Sequence, residues 1–224
     1  MKRHRKAFLI IAPALALAAV FFAAGGCMKG GVANVDSRGK TIICFGDSVT
    51  FGCGAGGPGK DYPAQLGKMT SFPVINSGIN DETSGQAVKR LQNDVLDKDP
   101  IIVIVEFGGN DFLNMQPVPQ TMANIEEIIK RIQKRGAMVA LADISSEFVM
   151  SEYTPGFRQL SQKYGTILIP GLLADIMTEP TLKSDFIHPN AKGYRIVAQR
   201  IYRAIIPYLN QNAMLRKGKG VVKR

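Results

Sequence analysis

Short apolar runs alternate with amphipathic stretches along most of the chain. Thr41–Ser48 opens as an apolar, β-forming run and stops abruptly at a glycine, an acid and a hydroxyl, which reads as a buried strand closed by turn residues. Ile101–Val105, opened by Pro100, is a β-branched run without alternation, the pattern of a strand covered on both faces of a parallel sheet. Phe72–Asn76, Ala137–Ala142 and Ile167–Ile169 supply three more strands. Between them, Val88, Leu91 and Val95 space a helix over Ser84–Leu96, capped by Thr83 or Ser84. Pro117 and Pro119 close a loop before a second helix, whose Ile125, Ile128, Ile129 and Ile132 make one stripe. Further helices are predicted over Tyr62–Lys68, Thr154–Tyr164, Gly171–Met177 and Asn190–Leu209, the last with Tyr194, Val197, Ile201 and Ile205 facing inward. Strand and helix alternate throughout, so the expected architecture is α/β: a five-stranded parallel sheet between two helical layers.

The two ends fall outside this pattern. Lys2, Arg3, Arg5 and Lys6 precede Ala7–Ala24, an apolar stretch that leads to Gly25-Gly26-Cys27, and the combination reads as an export signal over 1–26. The end of this leader resembles a bacterial lipobox, with Ala24 where lipoboxes usually carry leucine. That resemblance implies that Cys27 is lipidated and becomes the first mature residue. Ala7–Ala24 is also long enough for an uncleaved anchor, and free secretion is a third reading. All three place the domain outside the cytoplasm, with a lipid-anchored position in the cell envelope preferred. Residues 27–39 read as a polar tether, 40–210 as the domain and 211–224 as a basic tail.

Charge changes meaning once the ends are set aside. The formal net charge is +10, but without the leader 24 basic residues face 18 acidic ones, and without the tail 19 face 18. A nearly neutral body excludes a nucleic-acid footprint, while the tail suits anionic lipid or simple solvation. Within the body, Cys44 reads as a small buried hydrophobe rather than half of a disulfide with Cys53.

Three successive strand ends carry glycine beside a hydrogen-bonding residue: Gly46-Asp47-Ser48, Asn76-Ser77-Gly78 and Gly109-Asn110-Asp111. In an open α/β sheet such ends converge on one edge, where ligands bind. The chain has two histidines, His4 in the leader and His188 in Asp185-Phe186-Ile187-His188-Pro189. One body histidine rules out a multi-histidine metal site. An aspartate three residues before it is close enough to orient the ring. Gly54–Lys60 matches half of a phosphate-binding loop, but Asp61 stands where a magnesium-binding Ser or Thr belongs and would repel phosphate. The Gly-x-Ser-x-Gly elbow is absent around Ser48.

Taken together, Gly46-Asp47-Ser48-Val49, Gly78, Gly108-Gly109-Asn110-Asp111 and Asp185-Phe186-Ile187-His188 resemble, in order, the four blocks of the SGNH, or GDSL-type, hydrolase family. Val49 replaces the leucine of the family name. Tyr62–Leu66 and Val105–Asp111 look like its single-domain bacterial arylesterase, thioesterase and lysophospholipase branch. The resemblance spans about Lys40–Leu209 and implies the flavodoxin-like SGNH fold, without cofactor or metal. It implies Ser48 as nucleophile, His188 as base and Asp185 as its orienting acid, which is the chemistry a poorly nucleophilic serine needs. It also implies an oxyanion hole from the N–H groups of Ser48 and Gly78 and the side-chain amide of Asn110. Gly78 is then expected to be glycine so that backbone can approach substrate. Asp47, Asn80 and Asp111 are expected to brace loops. Phe112, Leu113 and Met115 are expected to line an acyl pocket, the alternative being a plug packed on a neighbouring helix. The implied partner is a small-molecule ester or lipid, acted on by a monomer. The rival readings are a carbohydrate O-acetylesterase and a non-catalytic lipid- or glycan-binding lipoprotein.

Overall fold

Five strands, β1 (Thr41–Gly46), β2 (Val74–Gly78), β3 (Pro100–Glu106), β4 (Met138–Ala142) and β5 (Ile167–Ile169), form one parallel sheet in the order β2-β1-β3-β4-β5. The structure is a computed structural model that describes residues 31–145 and 149–221. The leader, Cys27 and part of the Ser145–Thr154 connection lie outside the described residues. Among the described residues no helix is long and apolar enough to cross a membrane.

Strand residues point to the two faces in turn, which divides the core. Ile42, Cys44, Ile102, Ile104 and Ala140 pack under α2 (Tyr62–Gly67) and α7 (Ala191–Val221). Ile43, Phe45, Val103, Val105 and Leu141 pack under α3 (Ser84–Asp94), α5 (Val118–Lys134) and α6 (Thr154–Tyr164). The sheet is therefore sandwiched between two helical layers, as the pattern predicts. Every residue of β3 is buried. At about 1.5–3 kcal/mol for each buried Ile or Val, this strand and the isoleucine stripe of α5 supply much of the hydrophobic stabilisation.

Several boundaries differ from the sequence expectation. β2 starts two residues later than Phe72 and runs on through Gly78. Pro119 stands inside the first turn of α5, where a missing N–H leaves no helical bond unmade. Gly171–Met177 is a succession of turns and not a helix, because Gly171 and Asp175 adopt left-handed conformations at φ 56° and 63°. The last helix does not stop near Leu209 but continues to Val221, so the basic segment begins as helix. The amide of Asn212 holds it there, donating to Val35 O and Ser37 O at 2.8 Å each.

The tether reading also changes. From Val32 onward the chain packs against the domain: Ala33 N–H donates to Gly165 O at 2.9 Å, and Asn34 Nδ2 donates to Gln133 O and Ala137 O. Gly165 lies two residues before β5 and Ala137 one before β4, so this segment lies along the edge where strands begin.

Candidate active site

The opposite edge, where the strands end, collects the polar residues. In β1 the register sets Gly46 beside Gly78 of β2 and beside Glu106 of β3. A Cβ on Gly46 would come within 2.1 Å of Thr50 Oγ1 and 2.6 Å of Glu106 Oε2, so only glycine leaves room for those two side chains to meet. Asp47 then caps the single-turn helix α1 (Ser48–Phe51), its Oδ1 accepting from Val49 N–H at 3.0 Å. Gly52 closes that turn at φ 102°. Ser48 is thereby fixed at the head of a helical turn, buried except for the side that faces the cavity described below.

The His188 loop reaches this serine from 140 residues away. Nε2 of His188 lies 2.9 Å from Ser48 Oγ, and Nδ1 lies 2.9 Å from Asp185 Oδ2. Asp185 Oδ1 also accepts from the backbone N–H groups of Ile187 and His188, both at 2.9 Å. Burial pushes this carboxyl up, but those hydrogen bonds and the imidazole outweigh it and hold Asp185 below the usual carboxylate range. An ionised Asp185 places the imidazole proton on Nδ1 and leaves the Nε2 lone pair for the Ser48 hydroxyl. The loop is pinned at its base by a Lys183–Pro189 bridge and by the amide of Asn190, which donates to Thr181 O and Lys183 O.

Asn110 joins the site from α4 (Gly109–Leu113), which follows β3 after Gly108 at φ 123°. It is buried beside the cavity, and its Nδ2 donates to Glu82 O at 3.0 Å. An amide has two N–H groups, so a second is left to point elsewhere. The Ser48 N–H heads α1, where a helix has no acceptor of its own to offer. Ser48 and Asn110 border the same cavity.

Gly78 stands apart from it. Its N–H donates to Asn76 Oδ1 at 2.9 Å, and it does not border the cavity. Its need for glycine has a different cause from substrate approach: a Cβ there would meet Phe51 N at 2.1 Å, so α1 could not pack on β2. The bracing roles hold for the acids. Asp111 accepts from Ser84 N–H at 2.9 Å and from Ser84 Oγ at 2.6 Å, which joins α4 to the start of α3. Asn80 Oδ1 lies 3.1 Å from Cys53 Sγ. Both Cys44 and Cys53 are free thiols, and burial pushes the Cys44 thiol far up.

A cavity of about 620 Å³ opens from Ser48, Asn110 and His188, with mainly apolar walls. Phe112 and Leu113 line it, Phe112 with its ring edge-on to Tyr153 at 6.3 Å. Met115 does not: it is 90% exposed, turned away by a left-handed backbone at φ 53°. Sequence reasoning passed over much of the remaining wall, which comes from Ile144, Met150, Leu173, Met177 and the Phe186-Ile187 pair. No local pattern marks those residues, since three separate loops bring them together. It also passed over Glu106, although an acid ending an unbroken apolar run is an anomaly visible in the sequence. Burial pushes Glu106 well above the carboxylate range, with the neighbouring Asp47 charge adding to it. Asp47 itself is pushed up to about 7, again mainly by burial.

Residues 44–196, which contain every one of these groups, match the family model described as GDSL-like Lipase/Acylhydrolase. The chain belongs to that family. It is 24% identical over 198 residues to "Esterase TesA" of Pseudomonas aeruginosa, covering 82% of this chain and 96% of that protein. It is 24% identical over 181 residues to "Thioesterase 1/protease 1/lysophospholipase L1" of Escherichia coli K12, covering 77% and 86% respectively. Among solved structures, the psychrotrophic esterase EstA of Pseudoalteromonas sp., inhibited by monoethylphosphonate, superposes with a TM-score of 0.67 at 27% identity, over 76% of this chain and 99% of that one. This GDSL domain is accordingly a serine carboxylic ester hydrolase of the SGNH type.

Proposed function

We propose that this enzyme cleaves acyl esters and thioesters through a covalent acyl-enzyme on Ser48. The observation that carries the reading is the unbroken line Asp185–His188–Ser48, with contacts of 2.9 Å, ending at the mouth of an apolar cavity. His188 Nε2 takes the Ser48 proton as Oγ attacks the substrate carbonyl carbon. The resulting imidazolium is stabilised by Asp185 and returns the proton to the leaving oxygen or sulfur. Water, deprotonated by the same nitrogen, then releases the acid and frees Ser48. The tetrahedral oxyanion forms beside the Ser48 N–H and the open N–H of Asn110. Asn110→Ala is expected to lower kcat ~10²–10³-fold with a smaller change in KM, as measured by steady-state kinetics, because the donor acts on charge that exists only in the transition state.

The substrate class follows from the walls. A cavity of about 620 Å³ is in the range that holds small ligands. Leu113, Val149, Phe186 and Ile187 are apolar and stand exposed around its mouth, which suits an acyl chain better than a sugar. Aryl esters, acyl thioesters and lysophospholipids are therefore the preferred substrates, and acetylated polysaccharide is the second choice. The names of the TesA and thioesterase relatives support this order. The test is kcat/KM on a p-nitrophenyl ester series, an acyl-CoA, a lysophospholipid and acetylated xylan. Highest efficiency on the polysaccharide would overturn the acyl-chain reading. The enzyme acts as a monomer in the cell envelope, held through a lipid on Cys27; the apolar leader before Gly25-Gly26-Cys27 supports the anchor. Mass spectrometry of the mature N-terminus tests it.

A further inference from the structure

Glu106 ends β3 without any solvent exposure and borders the same cavity as Ser48. Its Oε2 accepts from Thr50 Oγ1 at 2.8 Å. Because that hydroxyl proton is committed, Tyr62 O–H is the donor in the Tyr62–Thr50 contact at 2.8 Å. Its other oxygen, Oε1, has no donor among the described residues. A buried carboxylate with an unserved oxygen is strongly disfavoured, whereas a protonated carboxyl turns that oxygen into a donor. The neighbouring acceptor is Asp47, the residue after Gly46, which the β1–β3 register pairs with Glu106. Asp47 is 3% exposed and spends Oδ1 on the Val49 N–H.

We propose that Asp47 and Glu106 are a buried acid pair sharing one proton, and that neutral Glu106 is a positioning residue for Ser48. The inference rests on Ser48 being the nucleophile. The pair closes a brace that runs from Tyr62 through Thr50 and Glu106 to Asp47 and the Val49 N–H, gripping the chain on both sides of Ser48. Two carboxylates in one buried site cannot both ionise cheaply, so a proton stays between them at neutral pH. The charged and titratable groups facing the pair are His188 from its loop, Asp111 from α4, Tyr62 from α2, Cys53 from the loop after α1 and Tyr194 from α7. Arg90 of α3 reaches Gly46 O at 3.4 Å, but it is occupied by Glu82 and Asp94 and supplies no donor to Glu106. Losing the shared proton would place a second negative charge beside Ser48 and open the brace.

The pair has a signature independent of activity. An acid whose folded pKa lies above its unfolded one stabilises the fold below the unfolded value, and that contribution is lost as pH rises through the folded value. Asp47 is raised from an ordinary 3.8 to about 7, and Glu106 is raised well above its ordinary range, so the loss begins near pH 4 and runs through neutrality. Glu106→Gln keeps a donor for Asp47 and does not titrate. Thermal unfolding from pH 5 to 9 is expected to give a Glu106→Gln Tm that pulls progressively above wild type as pH rises. Parallel Tm curves would overturn the shared proton. Should Glu106→Gln fail to fold, Asp47→Asn removes the other acid and is expected to flatten the same curve. For positioning, Glu106→Ala is expected to lower kcat ten- to a hundredfold with little change in KM, and Glu106→Gln to recover at least tenfold of a hundredfold loss. Equal losses in the two variants would overturn the positioning role. An active Ser48→Ala protein would instead remove the nucleophile reading and leave the Tm result standing.

Discussion

Ser48→Ala is expected to lower kcat/KM on p-nitrophenyl butyrate by ~10⁴–10⁶-fold, and His188→Ala by a similar factor. The two losses should not add. His188 Nε2 lies 2.9 Å from Ser48 Oγ; it moves that proton and, once the acyl-enzyme exists, that of water, so without the hydroxyl no acyl-enzyme forms and neither role remains. The double variant is therefore expected to match the Ser48→Ala rate within a few fold, which initial-rate assays with enzyme in excess will resolve. Residual turnover above water would come from the Asn110 amide, the backbone N–H at position 48, which alanine retains, and the cavity. A fluorophosphonate probe should label the wild type and fail on Ser48→Ala. Labelling of both proteins would mean that another side chain is the nucleophile.

Asp185→Asn is the second large effect, expected at ~10⁴-fold in kcat. In the wild type, Oδ1 of Asp185 takes two backbone N–H groups of its own loop while Oδ2 faces His188 Nδ1. An asparagine keeps an oxygen for the two backbone donors, so the loop should retain its shape and the protein its Tm. What changes is the atom opposite Nδ1: an amide N–H there donates where the carboxylate accepted. The imidazole must then carry its proton on Nε2, and the lone pair that Ser48 needs is lost. A large fall in kcat with an unchanged Tm separates this tautomer effect from loop unfolding. A fall in Tm by several degrees alongside a smaller fall in kcat would point to a structural role for Asp185 instead.

These two predictions rest on residues that were legible in the sequence, and the reason is physical. Buried parallel strands announce themselves by composition, as Ile101–Val105 does, and the chemistry of an α/β sheet collects where such runs stop. Ser48, Asn110 and His188 were readable because each is a reactive type at a strand end or in a short proline-bounded turn. Gly78 was misplaced because glycine at a strand end has two possible causes, close approach to a ligand or close approach to the protein itself. Only the packing of Phe51 against β2 distinguishes them. Met115 shared its apolar character with Leu113 but not its direction, since its own left-handed backbone turns it out to solvent. The bends at Gly171 and Asp175 likewise depend on backbone conformations that an apolar periodicity does not encode. The acid pair was hidden for another reason: Asp47 and Glu106 lie 59 positions apart in the numbering and meet only through strand register.

Val32–Asn34 pack along the edge where strands begin. Ser48 stands at the other end of the same sheet. A substitution at Asn34 or Ala33 is therefore a perturbation of the sheet's base, felt by the starts of β4 and β5 and not by the residues around Ser48.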